Sequence, residues 1–287
     1  MKITTPRRSL TTALLALATL AGAMSPVQAQ PVAQGRQAAV ALPGYQMLRS
    51  EPITVNNLAG TAFACPAGKV AVSGGADVQG TGAVLVASHP TIVDSASGWA
   101  VVARQVGKPQ VTFSAFLVCV NSAALPGYQI VHLNSAEIAN RGSRGAACPT
   151  GKVVVGGGAA TRGTDPALRV SLAPRPKGST SLWTASGQSL TGTTVGLAVD
   201  AICANPLPGY EIVELAATET PNQTARTQAC PSGKAPLSGG VAGFNSAVVT
   251  SSHPEAVSGV YRWAAGVREA SRPNAISSLT VVCANLT

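Results

Sequence analysis

Charge is scarce in this chain: Asp, Glu, Lys and Arg make up 11% of 287 residues, and aromatic residues only 4%. Basic residues scattered so thinly do not form a nucleic-acid groove, so no specific nucleic-acid binding is expected. There are three histidines, no Cys-x-x-Cys pair and no cysteine with a histidine at ligand spacing, which excludes the usual zinc patterns. No Asp-x-Asp-x-Asp-Gly run is present, which excludes a calcium loop of that type. No metal or cofactor is therefore expected. Beyond residue 29 no apolar stretch reaches the roughly 20 residues that a membrane-spanning helix needs.

What is abundant is repetition. Cys65-Pro66-Ala67-Gly68-Lys69 returns as Cys148-Pro149-Thr150-Gly151-Lys152 and again as Cys230-Pro231-Ser232-Gly233-Lys234, at steps of 83 and 82 residues. Each copy runs on into a Gly-Gly pair. Each repeat also opens with Leu-Pro-Gly-Tyr, at Leu42, Leu125 and Leu207, where Pro-Gly suits the centre of a type II turn. The organisation read from these marks is a signal peptide over 1–29, a flexible lead-in over 30–41, and three β repeats over 42–124, 125–206 and 207–287.

The signal reading rests on Lys2, Arg7 and Arg8, an apolar core from Leu10 to Met24, and Val27-Gln28-Ala29 before Gln30. It predicts a secreted, periplasmic or cell-surface protein, with a mature charge near +6 in place of +9. In such an oxidising compartment six cysteines read as disulfides. Each repeat holds one early and one late cysteine, which predicts Cys65–Cys119, Cys148–Cys203 and Cys230–Cys283.

Within each repeat the spacing predicts four to five strands and no helix. The clearest strand alternates Val111, Phe113, Ala115, Leu117 and Cys119 on one face, with matches ending at Cys203 and Cys283. Pro236 is expected to weaken its strand or place it at a sheet edge. The polar stretches Asn56 to Thr61 and Asn134 to Gly145 read as surface loops. The fold class is all-β. Linkers as short as Pro206 favour a β-prism-like pseudo-threefold arrangement, with three small tandem β-sandwiches as the alternative.

The copies resemble a repeat of uncharacterised exported bacterial proteins, marked here by Cys-Pro-x-Gly-Lys, Gly-Gly, a tryptophan and the closing Cys119-Val120-Asn121, Cys203-Ala204-Asn205 and Cys283-Ala284-Asn285. That resemblance brings no activity with it. A fainter likeness, in the Cys-Pro-x-Gly opening and the threefold count, is to the vitelline membrane outer layer proteins, and it implies a secreted β-prism by analogy alone.

Candidate binding residues are Trp99, Trp183 and Trp263 with Tyr45, Tyr128 and Tyr210, because aromatic faces stack on sugars; residues repeated in register also suit the module's own core. No catalytic residue is assigned. His89 and His253 share a Ser-His-Pro context, matched in repeat two by Ala173 before Pro174, and read with His132 as turn or surface residues. Glu51, Glu137 and Glu219 recur at comparable places without forming a recognisable pair. The densest basic cluster, Arg162, Arg169, Arg175 and Lys177, reads as a solvated face. Together these features predict a non-enzymatic, surface-binding protein whose partners are glycans or other cell-envelope components. The alternatives are a structural coat or matrix protein and, further off, a hydrolase.

Overall fold

The computed structural model describes residues 30–31, 42–172 and 181–285; the signal stretch and residues 32–41 lie outside the described residues. Gln30–Pro31 forms a short strand, β1, paired with the first strand of repeat one. Repeat one then contributes β2 (Gln46–Arg49), β3 (Ile53–Asn56), β4 (Gly60–Ala64), β5 (Lys69–Gln79), β6 (Ala83–Val93), β7 (Ala96–Gln105) and β8 (Gln110–Asn121). One turn of 3-10 helix, Ser122–Ala124, leads to repeat two: β9 (Gln129–Ala139), β10 (Ser143–Ala147), β11 (Val153–Arg162), β12 (Pro166–Leu172), β13 (Leu182–Ser189) and β14 (Thr194–Ala204). Repeat three gives β15 (Glu211–Pro221), β16 (Arg226–Ala229), β17 (Lys234–Gly243), β18 (Val248–Val257), β19 (Val260–Arg268) and β20 (Asn274–Asn285).

These strands build three antiparallel walls, and no wall belongs to one repeat. The first runs β1-β2-β8-β5-β18-β19-β16, with β3 also on β8, and joins repeats one and three. The second, β4-β7-β6-β11-β14-β9, joins repeats one and two; the third, β10-β13-β12-β17-β20-β15, joins two and three. Each repeat therefore bends around a corner of a three-walled prism. One large apolar cluster runs through all three repeats, and a small second one joins Val84, Ala167 and Val248, so separate tandem sandwiches are excluded. Each disulfide fastens a corner by linking the residue after an edge strand of one wall to the end of an inner strand of another, with the three pairings expected from the repeat.

The Gly-Gly pair has a separate reason for each glycine. A Cβ on Gly74, Gly157 or Gly239 would lie 2.4 Å from the ring of Trp99, Trp183 or Trp263 respectively, so the first glycine admits the tryptophan. The second sits at the seam between repeats, where a Cβ on Gly75 would meet Ser252 O at 1.7 Å and one on Gly158 would meet Ser88 O at 2.2 Å. The seams themselves are short: two residue pairs each between β5 and β18, β6 and β11, and β12 and β17.

Just before each glycine pair the strand carries a bulge, at Val72, Val155 and Leu237. A bulged residue drops out of the ladder and frees its carbonyl. Ser73 Oγ donates to Leu237 O at 2.6 Å and Ser238 Oγ to Val155 O at 2.8 Å. The third position of this cycle is Gly156, whose added Cβ would lie 1.9 Å from Val72 O. The three repeats thus meet through bulge carbonyls around a pseudo-threefold axis, and the ring of hydroxyl contacts is broken once by glycine.

Several sequence expectations are corrected here. Among the described residues there are seven strands in repeat one and six in each of repeats two and three, not four to five; in repeat two Asn134 to Gly145 is mostly strand (β9 and β10). Pro236 stands in a strand that has neighbours on both sides, yet β12 pairs only with Val241 and Ala242, so at Pro236 itself β17 has β20 alone beside it, and Pro236 flanks the bulge. At the matching positions the N–H groups of Ala71 and Val154 donate to Ser97 and Ser181 hydroxyls. Pro236 has no N–H to satisfy, and Tyr261 replaces the serine there, packing edge-on against Tyr45 at 5.5 Å. The two substitutions compensate one another.

Candidate functional site

The tryptophans face inward. Trp99, Trp183 and Trp263 are each 1% exposed, and the indole N–H groups of Trp99 and Trp263 donate to Ser88 and Ser252 at 2.8 and 3.0 Å. Rings packed on the first glycine of each pair have no face left for a sugar, so the expectation of stacking on them is corrected.

The tyrosines tie one repeat to the preceding one. Tyr128 Oη donates to Ala71 O at 3.0 Å, Tyr210 Oη to Val154 O at 2.8 Å, and Tyr45 Oη to Pro236 O at 2.9 Å. The last contact closes the ring from repeat one back to repeat three. Burial raises the pKa of all three phenols, Tyr210 to about 12. They are neutral staples between repeats, Tyr45 buried and Tyr128 and Tyr210 partly so.

All three histidines lie on strands; His132 is exposed on edge strand β9, as a surface reading has it, whereas His89 is half-buried and His253 buried beside the seams, contrary to the turn or surface reading for those two. His132 Nδ1 is 2.6 Å from the Asp200 carboxylate, which is buried, and His89 of repeat one approaches the other oxygen at 3.9 Å. On the first wall the same place holds His253 stacked on Phe116 at 4.2 Å, with the Arg49 guanidinium 5.4 Å from the same phenyl ring. Burial is the largest influence on His253 and lowers its pKa. Strand register aligns Leu172, not Ala173, with these two histidines, since Ser171 pairs across its seam as Ser88 and Ser252 do. His89 and His253 thus contact groups of a neighbouring repeat, the His132–Asp200 pair lies within repeat two, and Phe116 is buried beneath the imidazole.

An open polar site is lined throughout by residues of repeat two. In the second wall Arg162 of β11 pairs with Gly196 of β14, and Gly196 pairs with Glu137 of β9. Directly paired residues share a sheet face, and strands lie about 4.8 Å apart, so the guanidinium and carboxylate rise from backbones roughly 10 Å apart, with no side chain on Gly196 between them and the Ser135 hydroxyl close by, 3.3 Å from where a Gly196 Cβ would lie. The result is a hollow of about 520 Å3, with Ser135, Thr164 and Thr194 among its rim residues. Thr194 Oγ1 donates to the Glu137 carboxylate and holds it in place.

The other repeats close the same row. In repeat one it reads Gln79, Thr112 and Thr54, and the two threonine hydroxyls bond across it at 2.8 Å. In repeat three Ile276 occupies the middle position beside Glu219. The sequence signals Arg162 and Glu137 were visible, in the basic cluster and among the recurring acids, but their union through Gly196 depends on strand register. Glu137 and Glu219 stand on strands, not in the loop expected for them. No known family model matches the chain, and no curated protein matches its sequence.

Proposed function

We propose that the protein is an exported, non-enzymatic β-prism that binds carbohydrate of its surroundings or of the cell envelope through the hollow on repeat two. The observation that carries this reading is the Arg162–Gly196–Glu137 row, emptied in one repeat and closed in the other two. A sugar presents hydroxyls that both donate and accept. Here the carboxylate accepts, the guanidinium donates, and the Ser and Thr hydroxyls do either. The volume fits one or two sugar units. Glu137 is the one carboxylate among the described lining residues, whereas glycoside hydrolysis commonly uses a pair, which favours binding over cleavage. Three disulfides fit an oxidising compartment, in keeping with the signal read over 1–29.

The test is a glycan array with the wild-type protein and with Gly196→Thr, which installs the residue repeat one already uses at that place. The variant should fold normally by circular dichroism and lose its glycan signal. Retained binding would move the site elsewhere. No glycan signal from either protein, with concentration-dependent self-assembly, would favour the structural coat.

A further inference from the structure

We infer a phosphate-binding site at the junction of repeats two and three, built by Arg141 and Arg169 on the β17–β18 turn. The two guanidinium groups come from separate parts of repeat two and dock on consecutive residues of repeat three. Arg141 Nη2 donates to Ser246 Oγ at 2.7 Å, and Arg169 Nε donates to Asn245 O at 3.2 Å. Neither arginine has a carboxylate partner among the described residues. Two like charges held on one turn by a neutral hydroxyl and a carbonyl repel each other, and partial burial of Arg169 adds to the cost, lowering its pKa together with the Arg141 charge. An oxyanion between them relieves both effects, since guanidinium groups pair with phosphate through charge-assisted, often bidentate hydrogen bonds.

The comparison between repeats makes the feature specific. Arg141 follows Asn140 with a positive φ of 68°, and its counterparts Leu58 and Gln223 have the same backbone at 66° and 65°. Each donates its N–H to a carbonyl of a neighbouring strand, Leu58 to Ala103, Arg141 to Gly187 and Gln223 to Val267. The Gln223 side chain also reaches the matching turn of the next repeat around the ring, donating to Gly80 O at 2.9 Å. Arg169 is a bulge residue, skipped in the pairing of β12 with β13, as Val86 and Thr250 are skipped in their strands. Val86 and Thr250 are buried, whereas Arg169 is only partly so and bonds to the turn. A bulge re-aims the side chain it carries. Three repeats offer this geometry, and only the junction of two and three fills both places with arginine. The phosphate could be free or carried on a lipid headgroup, and the chemistry recognised is the same.

The double variant Arg141→Leu with Arg169→Thr uses residues that repeats one and three already hold in these conformations, so the fold should persist by circular dichroism. Calorimetric titration with inorganic phosphate at constant ionic strength, with chloride as the control anion, should give saturable binding to the wild type. The double variant should bind at least about tenfold more weakly, or about 1.4 kcal/mol. Sedimentation with phosphatidylglycerol vesicles against phosphatidylcholine vesicles separates the sources. Selective co-sedimentation lost in the double variant assigns the site to lipid headgroups, whereas phosphate binding without co-sedimentation assigns it to the free ion. Equal responses of wild type and double variant to both probes, or no phosphate binding by the wild type, would overturn the inference.

Discussion

At the scale of single residues, the repeated positions divide into those that make the frame and those released from it. His253 belongs to the frame: it is buried against Phe116 and faces Asp77, Glu255 and Arg49. Burial lowers its pKa below the ordinary 6.5, so the folded chain takes up this proton less readily than the unfolded chain. The neutral ring's contribution is complete above about pH 6.5 and is lost progressively as pH falls below that value. His253→Leu, which installs the residue type of Leu172, should flatten this dependence. Urea midpoints between pH 7.5 and 5 should fall less for the variant than for the wild type; parallel curves would show that the imidazole is not titrating against stability. The Asn residues show how much at this scale was legible. Asn57, Asn140 and Asn222 repeat at the same steps as the cysteines, yet they sit in stretches that read as variable loop. Their side chains plug the hairpin before each last strand, Asn140 Nδ2 donating to Ser189 O and Gly192 O while its Oδ1 accepts from Ser189 N. The closing asparagines are frame residues as well, since Asn121, Asn205 and Asn285 press on Gly44, Gly127 and Gly209 so closely that a Cβ there would clash.

At the scale of elements, alternation made the last strand of each repeat readable, and the disulfides followed from the period. Bulges hid the first strand. In β9 the pairing with β14 slips between Leu133 and Ala136, which breaks the period-two pattern and made Asn134 onward read as loop. The freed carbonyls are taken by an arginine from the neighbouring wall. Arg144 Nη1 donates to Asn134 O and Leu197 O, and Arg226 reaches Ala216 O and Ser277 O at the same place in repeat three. Repeat one has Thr61 instead, and there the strand is interrupted between β2 and β3, with Ser50 bonding both ways to Ala115. Arg144→Met should therefore cost about 1–3 kcal/mol by stripping partners from these carbonyls. Faster amide exchange should concentrate in β9 and β10. An exchange pattern unchanged from wild type would mean that water replaces the guanidinium without loss.

At the scale of the whole molecule, the contact from repeat three back to repeat one is of the same kind as the two contacts the chain makes in order. Asn121, Asn205 and Asn285 each donate their N–H to the proline of their own Leu-Pro-Gly turn, at Pro43, Pro126 and Pro208. The Tyr45 hydroxyl then docks repeat one on repeat three as Tyr128 docks repeat two on repeat one. A circular permutant that begins at Leu207, joins Asn285 to Leu42 through Ser-Ala-Ala, and ends at Asn205 should fold with one cooperative transition. The joint copies the natural step from Asn121 to Leu125. A permutant that melts in separate stages would show that the three junctions are not interchangeable. The threefold frame was legible because the motifs repeat in register; the sharing of walls was not, since nothing in a repeat's own sequence says which neighbour will pair with it.

Wall sharing also sets the order in which the molecule can come into being. Of the three walls, only the one joining repeats one and two is complete when residue 204 has been delivered; both others wait for repeat three, and in the last of them β20 is the strand that joins β17 to β15. A chain arriving N-terminus first, from a ribosome or through a narrow conduit, can therefore close its core only when its final strand appears. Until then it holds long-range pairings in abeyance and stays threadable, and the finished prism locks in one late step.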